Sequence, residues 1–318
     1  MDPATERCLA MPEGKPCSSP SKPGLPYCGK HLGPIRRRRK LTASEAYEEW
    51  RDAARKAVTR RLRRERWPGQ YDEDLVRALM PFGLPFYSWY WRVDVEGVEN
   101  IPTEGSALLV ANHSGTLPLD GAMLKIAVLK EHGRNPWLLA ADLVFRFPVL
   151  GELTKAAGNM RAGRDETVDL LRKGEVVGVF PEGFKGIGKG WSKRYQLQRF
   201  GRGGFVEVSL QTGAPIIPTA IVGAEEIYPM IYNVKSVARM FGLPYFPVTP
   251  FFPLLGPLGA VPLPSKWLIA FGEPIPVAQH GPEAADDLQL VLEITEEIRG
   301  TVQRMVAELL AKRRSTFW

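Results

Sequence analysis

Asn112-His113, followed seven positions later by Asp120, lies between the apolar run Ala107-Leu108-Leu109-Val110 and a helical-looking stretch over 121–130. A strand-to-helix turn of this kind presents one imidazole and one carboxylate, and that pair can deprotonate a hydroxyl. Neutral imidazole is the side chain matched to general-base work near neutral pH. A carboxylate on its other nitrogen fixes the tautomer and stabilises the imidazolium that forms. A histidine that merely caps a turn is the competing reading. A second carboxylate weighs against it: Val176-Val177-Gly178-Val179-Phe180 reads as a buried strand running into Pro181-Glu182-Gly183-Phe184-Lys185. Glu182 would then stand at a strand's C-terminal end, the edge at which open α/β sheets bind ligands. Gly183 would let a substrate approach the backbone, and Lys185, Lys189, Lys193, Arg194, Arg199 and Arg202 supply cations suited to an anionic, phosphate-bearing substrate.

The elements that must position these groups follow from hydrophobic patterning. Strands are expected over 137–141, 216–221 and 267–271, and helices over 120–130, 165–173 and 204–211. Apolar Leu288, Val291, Ile294, Ile298, Val302, Met305 and Leu309 recur every three or four residues, so 284–312 reads as a long amphipathic closing helix in which Gly300 introduces a bend. Helices and strands alternate, which gives an α/β fold. The 318 residues and 44% hydrophobic content suit one catalytic domain over 71–318 with N-terminal appendages.

Four blocks carry a family resemblance: Asn112-His113 with a following Asp, Gly158-Asn159-Met160-Arg161, Phe180-Pro181-Glu182-Gly183, and Ala214-Pro215-Ile216-Ile217-Pro218. In this order, over roughly 92–276, they resemble the lysophosphatidic acid (PlsC-like) glycerolipid acyltransferase family. The runs over 195–204 and 222–226 resemble its bacterial subset similar to diacylglycerol acyltransferases. The resemblance implies a mixed, mostly parallel central sheet flanked by helices. It also implies transfer of a fatty acyl group from acyl-CoA, or acyl carrier protein, to a hydroxyl of a glycerolipid precursor such as lysophosphatidic acid. His113 would be the base and Asp120 its orienting partner, with Asn112, Arg161, Glu182, Gly183 and Lys185 holding the glycerol phosphate end. The family leaves four residues between His and Asp. Here six intervene, Pro118 occupies the expected Asp position, and the orienting role passes to Asp120. Diacylglycerol or another lipid alcohol is the alternative acceptor.

No cofactor is expected for catalysis beyond the acyl thioester. There is no Gly-x-Ser-x-Gly nucleophile elbow, and all three cysteines lie far upstream of the His/Asp turn, so no covalent acyl-enzyme is expected. Gly183-x-x-x-x-Gly188-Lys189 imitates most of a nucleotide-binding P-loop but places Gly190 where a magnesium-binding Ser or Thr is required.

The charge of +7 is concentrated at the start: residues 1–66 hold 17 Lys or Arg against 8 Asp or Glu. Within 1–35, Cys8, Cys17, Cys28 and His31 form a set matching one tetrahedral structural zinc, in a Pro/Gly/Ser-rich segment with little else to hold a fold. A disordered tail with unpaired thiols competes with that reading. Residues 36–70 carry the basic run Arg36 to Lys40, a Thr42-x-x-Glu45 capping box and a helix with Tyr47, Trp50, Ala54, Ala57, Val58 and Leu62 on one side. Three roles compete for it: attachment to an anionic membrane surface, simple packing on the catalytic domain, or, with the knuckle, a nucleic-acid module attached to an inactive transferase fold.

The odd cysteine count and polar start point to a reducing compartment, hence a cytoplasmic protein peripheral to the membrane's cytoplasmic face. Two apolar segments bear on that. Residues 79–93 interleave aromatics with two prolines, and 243–264 are uncharged with seven prolines, which excludes a spanning helix but leaves an apolar surface for lipid or for core. If the zinc assignment is right, the full chain should carry one equivalent of zinc that is lost when Cys17 and Cys28 are both changed to Ser. Elemental analysis showing unchanged metal content would remove the knuckle.

Overall fold

The computed structural model describes residues 43–62, 71–145, 151 and 154–317. Helices α1 (Ala43–Leu62) and α2 (Glu73–Pro85) precede β1 (Asp94–Glu96) and β2 (Ala107–Ala111). Next come α3 (Leu119–Ala127), β3 (Pro136–Ala140), α4 (Asp142–Phe145), β4 (Asn159–Arg161), α5 (Arg164–Arg172) and β5 (Val176–Val179). After α6 (Phe184–Ile187) and α7 (Gly204–Thr212) the chain makes β6 (Ile216–Val222), β7 (Tyr232–Asn233), α8 (Lys235–Met240), β8 (Pro247–Val248), β9 (Leu268–Phe271) and α9 (Leu288–Lys312).

Among the described residues seven strands form the central sheet in the order β1-β9-β6-β2-β5-β3-β4, every pairing parallel except β6 with β9. The mixed, mostly parallel sheet flanked by helices is therefore present. β2 is buried along its whole length, as a central parallel strand covered on both faces must be. Its alternate residues feed two cores. Leu108 and Val110 join Leu171, Leu210 and Ile298 from α5, α7 and α9, while Ala107, Leu109 and Ala111 join Leu124 of α3 and the stacked rings of Trp91 and Trp267.

Several boundaries moved for identifiable reasons. α9 starts at Leu288 rather than near 284, because the Asp287 carboxylate caps it by accepting from the backbone N–H of Gln289 and Leu290. It continues unbroken past Gly300, and Val306 takes the fully buried place expected for Met305. Residues 79–93 form the end of α2 and a π-helical turn over Phe86–Tyr90. That segment divides its aromatics: Tyr87 and Trp91 are core, whereas Phe82, Phe86 and Trp89 are exposed. The 243–264 segment is mostly irregular and is stitched to it by Tyr90 Oη to Pro262 O (2.6 Å) and Trp91 Nε1 to Leu263 O (3.0 Å). α1 docks on α2 through Trp50 Nε1 to Ala78 O (3.2 Å) and by packing Ala57 against Leu75. Tyr47, expected on that face, is exposed. No helix among the described residues is long and apolar enough to cross a membrane.

The register of β2 against β6 is locked just beyond the strand's end by Asn112. This fully buried amide donates to Ile221 O (3.0 Å) and accepts from Ile221 N–H (2.7 Å), in effect extending the sheet by one side chain. Asn112 was expected among the substrate contacts. Both its polar atoms are committed to the sheet, so its part in the site is to fix where His113 begins. Asn112→Ala would leave two buried backbone groups unpaired and should cost about 1–3 kcal/mol in urea unfolding. A midpoint equal to that of the parent protein would contradict this role.

Candidate active site

The C-terminal ends of parallel β2, β5, β3 and β4 lie along one edge of the sheet, and Arg161 is the last residue of β4. His113 leaves β2 and Glu182 leaves β5. The His113 Nδ1 is 2.7 Å from Asp120 Oδ2. Asp120 also accepts from Ser114 N–H (2.8 Å) on the same oxygen and from Gly121 N–H (2.8 Å) on the other, and it is fully buried. With the carboxylate on Nδ1, that nitrogen carries the proton and Nε2 keeps its lone pair. The longer His-to-Asp spacing is absorbed by a turn in which Gly115 has φ +82° and Leu119 N–H bonds Leu117 O (2.7 Å) around Pro118. Leu117 is displaced outward and Asp120 returns beneath the ring. A side chain at Gly115 would meet Ala224 O at 2.8 Å, in addition to the strain of its positive φ.

Glu182 grips the same histidine from its backbone. Oε1 accepts from His113 N–H (2.9 Å) and Oε2 from Gln198 N–H (2.6 Å). Expected as a contact to substrate, it is buried and acts on His113 instead. Gly186 is the second glycine this packing needs, since a Cβ there would stand 2.6 Å from His113 O. Gly183 has open space around it and φ +54°, which suits the expected backbone approach. Lys185 is exposed on α6, and Arg161 is exposed on the edge strand β4, 3.7 Å from Asp142. Neither of these two forms a hydrogen bond or ion pair with His113 or Glu182.

The cation that does reach Glu182 is Lys189, the lysine of the P-loop-like run. Its buried Nζ lies 3.8 Å from Glu182 Oε2 and 2.8 Å from Glu225 Oε1, the latter a close charge contact without hydrogen-bond alignment. Glu225 Oε2 also accepts from Tyr195 N–H (2.9 Å). The Tyr195 hydroxyl bonds Glu226, which pairs with Arg313 at 2.6 Å. Sequence reasoning registered the 195–204 and 222–226 runs without giving them a role; they meet here, behind the candidate base. Two carboxylates share one buried ammonium. Burial therefore raises Glu182, against the pull of Lys189 and of the Gln198 and His113 N–H donors, and pushes Glu225 up to about 7.

The His113 ring packs on Phe180 (centroids 4.5 Å apart) and is only 13% exposed. It forms part of the wall of an apolar cavity of about 470 Å³, shared with Leu79, Met80, Ile126, Leu129 and Phe184. A base with a free Nε2 beside a greasy cavity can activate a hydroxyl next to a bound hydrocarbon chain. His132 bonds Ile101 O at 2.8 Å and takes no part in this site. The candidate zinc residues Cys8, Cys17, Cys28 and His31 lie outside the described residues, as does the basic run 36–40. Among the described residues, no group of three or more His, Cys, Asp or Glu could hold a metal.

The Acyltransferase family model matches residues 92–222, which span β1's approach through β6 and include His113, Asp120 and Glu182. An uncharacterized protein of Mycobacterium tuberculosis is 52% identical over 268 residues, 80% of this chain and 74% of that protein. The bovine (Bos taurus) DGAT1/2-independent enzyme synthesizing storage lipids is 23% identical over 221 residues, covering 68% of this chain and 63% of its own. The crystal structure of the 1-acyl-sn-glycerophosphate (LPA) acyltransferase PlsC from Thermotoga maritima superposes with a TM-score of 0.50 over 77% of this chain and 83% of that one. At 21% identity it bears on the fold alone.

The Glu225 carboxyl gives the site a pH signature. Its folded value is raised above the usual 4.5, so the folded state holds a proton that the unfolded chain releases. Its contribution to stability is present below about 4.5 and is lost as pH rises towards about 7, by an amount on the order of 3 kcal/mol. Glu225→Gln should make thermal stability fall less steeply across that window. An unchanged slope would show that the carboxyl is not held as described.

Proposed function

This chain belongs to the PlsC-like glycerolipid acyltransferase family, and from that premise we propose that His113 is the general base for acyl transfer to a glycerolipid hydroxyl. The observation that carries the reading is the His113 Nδ1 to Asp120 Oδ2 contact of 2.7 Å, on a ring that borders an apolar cavity. The acyl chain of acyl-CoA, or of acyl carrier protein, occupies that cavity, each buried methylene contributing about 0.8 kcal/mol. Nε2 takes the acceptor's hydroxyl proton as its oxygen bonds to the thioester carbonyl carbon. The tetrahedral intermediate then expels the thiolate with cleavage of the C–S bond, and the imidazolium returns the proton to sulfur. Asp120 holds the ring and stabilises its charged form, while Glu182 positions the ring through its backbone.

The acceptor we propose is a phosphate-bearing glycerolipid such as lysophosphatidic acid, because Lys185, Lys193, Arg194, Arg199 and Arg202 are all exposed around the loop that follows β5. Diacylglycerol or another neutral lipid alcohol is a second reading, favoured by the likeness to an enzyme described as synthesizing storage lipids. Exposed Phe82, Phe86 and Trp89, together with Leu254 and Leu258, support contact with the cytoplasmic face of a membrane.

Radiolabelled palmitoyl- or oleoyl-CoA supplied with lysophosphatidic acid, glycerol 3-phosphate or diacylglycerol separates these acceptors. His113→Ala should lower turnover of the accepted one by about 10²–10⁴-fold, and Asp120→Asn should do so by a comparable factor through the wrong tautomer. Full turnover by the His113 variant would sink the proposal, and acylation of none of the three would remove the acceptor assignment.

A further inference from the structure

The lining of the apolar cavity includes polar residues. Lys125 of α3 lines it and is only 7% exposed. Its Nζ donates to Pro136 O at 2.6 Å and, more weakly, to Gly158 O at 3.4 Å. An ammonium has three donors, so at least one is unused by these partners. No carboxylate among the described residues offsets its charge, and burial alone draws its proton affinity down to about 7. Asn159 lines the same cavity, and its buried Oδ1 has no hydrogen-bond partner. Around Gly158, where a Cβ would lie 3.4 Å from Lys125 Nζ and 2.8 Å from Asn135 Nδ2, the Asn135 amide is likewise buried with neither polar atom paired. Leaving such groups unmatched against hydrocarbon costs about 1–3 kcal/mol apiece. A cavity meant only for an unsubstituted chain gains nothing from them.

We propose that Lys125 and Asn159 form a subsite for a hydroxyl group carried on the acyl chain. The inference rests on the proposed assignment of this cavity to the acyl donor. While Lys125 is protonated, its spare N–H and the unpaired Asn159 oxygen are together the complement of a hydroxyl, which accepts from the first and donates to the second. A keto oxygen can use only the lysine, and a methylene uses neither. Lys125 stands five residues along α3 from Asp120, about 7.5 Å of helix rise. The subsite therefore meets the chain well inside the cavity rather than at the thioester, and the position of the hydroxyl along the chain should matter.

The test is competition between palmitoyl-CoA and hydroxypalmitoyl-CoAs whose hydroxyl is moved stepwise from mid-chain to the end, using the full chain. At one position the hydroxy chain should be preferred in kcat/KM by about tenfold, with the matching keto chain intermediate. The preference should collapse in Lys125→Met and in Asn159→Leu. Thermal melting identifies a variant that fails to fold, and either variant alone decides the question. Equal use of hydroxylated and plain chains at every position overturns the subsite, as does a preference unchanged in a folded variant. If the parent protein turns over no acyl-CoA, the acyltransferase reading fails instead. Binding of hydroxypalmitic against palmitic acid to parent and variants then still tests the subsite, and equal affinities overturn it.

Discussion

His113 is held at two points by two buried carboxylates, Asp120 on the ring and Glu182 on the backbone N–H, and the surrounding architecture supplies what keeps those carboxylates buried. A carboxylate without partners in an apolar interior neutralises or breaks the fold. Asp120 is satisfied by donors alone, the ring and two backbone N–H groups from the turn and the first residues of α3. It needs no cation, so its charge would remain available to the imidazolium of the proposed proton transfer. Glu182 is different: it takes two backbone N–H groups and the distant charge of Lys189, which it shares with Glu225.

That division of labour explains the arrangement behind the site. Lys189 must serve two carboxylates, so Glu225 needs further support and draws it from the Tyr195 N–H. Tyr195 adopts φ +62°, a left-handed conformation that costs an aromatic residue about 1–3 kcal/mol. It is kept there by Glu225 on its backbone, by Glu226 on its hydroxyl, and by Gln303 of α9, which donates to its carbonyl at 2.9 Å. The long closing helix is thereby tied to the candidate base through Gln303, Tyr195, Glu225, Lys189 and Glu182, each link a hydrogen bond or charge contact.

The parts of this legible in sequence were those governed by local pattern. Continuous apolar runs announced β2 and β5, and the groups placed at strand ends, His113 and Glu182, could be located because chain order sets where a strand stops. What a residue does once there was less legible. Asn112 and Glu182 read as substrate contacts because nothing in a one-dimensional string distinguishes a polar side chain aimed at a ligand from one aimed at a neighbouring backbone. The Glu225 to Lys189 contact joins positions far apart in sequence, and α2 with its π turn tolerates Pro81 and Pro85, against their ordinary preference. The His-to-Asp spacing is the instructive case. Six residues intervene in place of four, yet β2 and α3 are fixed by packing, and a turn with a left-handed glycine takes up the surplus.

Lys189 carries one more consequence. Its pattern with Gly183 and Gly188 is that of a lysine reaching for phosphate, and in this chain the same lysine is turned inward by the demand of two buried acids. It cannot serve both roles, because withdrawing it would leave Glu182 and Glu225 as uncompensated neighbours and loosen the backbone of His113. Recognition of an anionic acceptor must then fall to the exposed cations of the same loop, Lys185, Lys193 and Arg194. Such charges act through solvent, are screened within about 10 Å at moderate salt, and hold a headgroup with little geometric demand. On the proposed function, the rigid elements of the site would bear on the proton transfer and the hydrocarbon chain, while the acceptor's polar end would meet the part of the molecule least able to discriminate. Under the function proposed above, such a site would be strict about the acyl group and permissive about the alcohol, which would let a single scaffold accommodate either a phosphate-bearing acceptor or a neutral one.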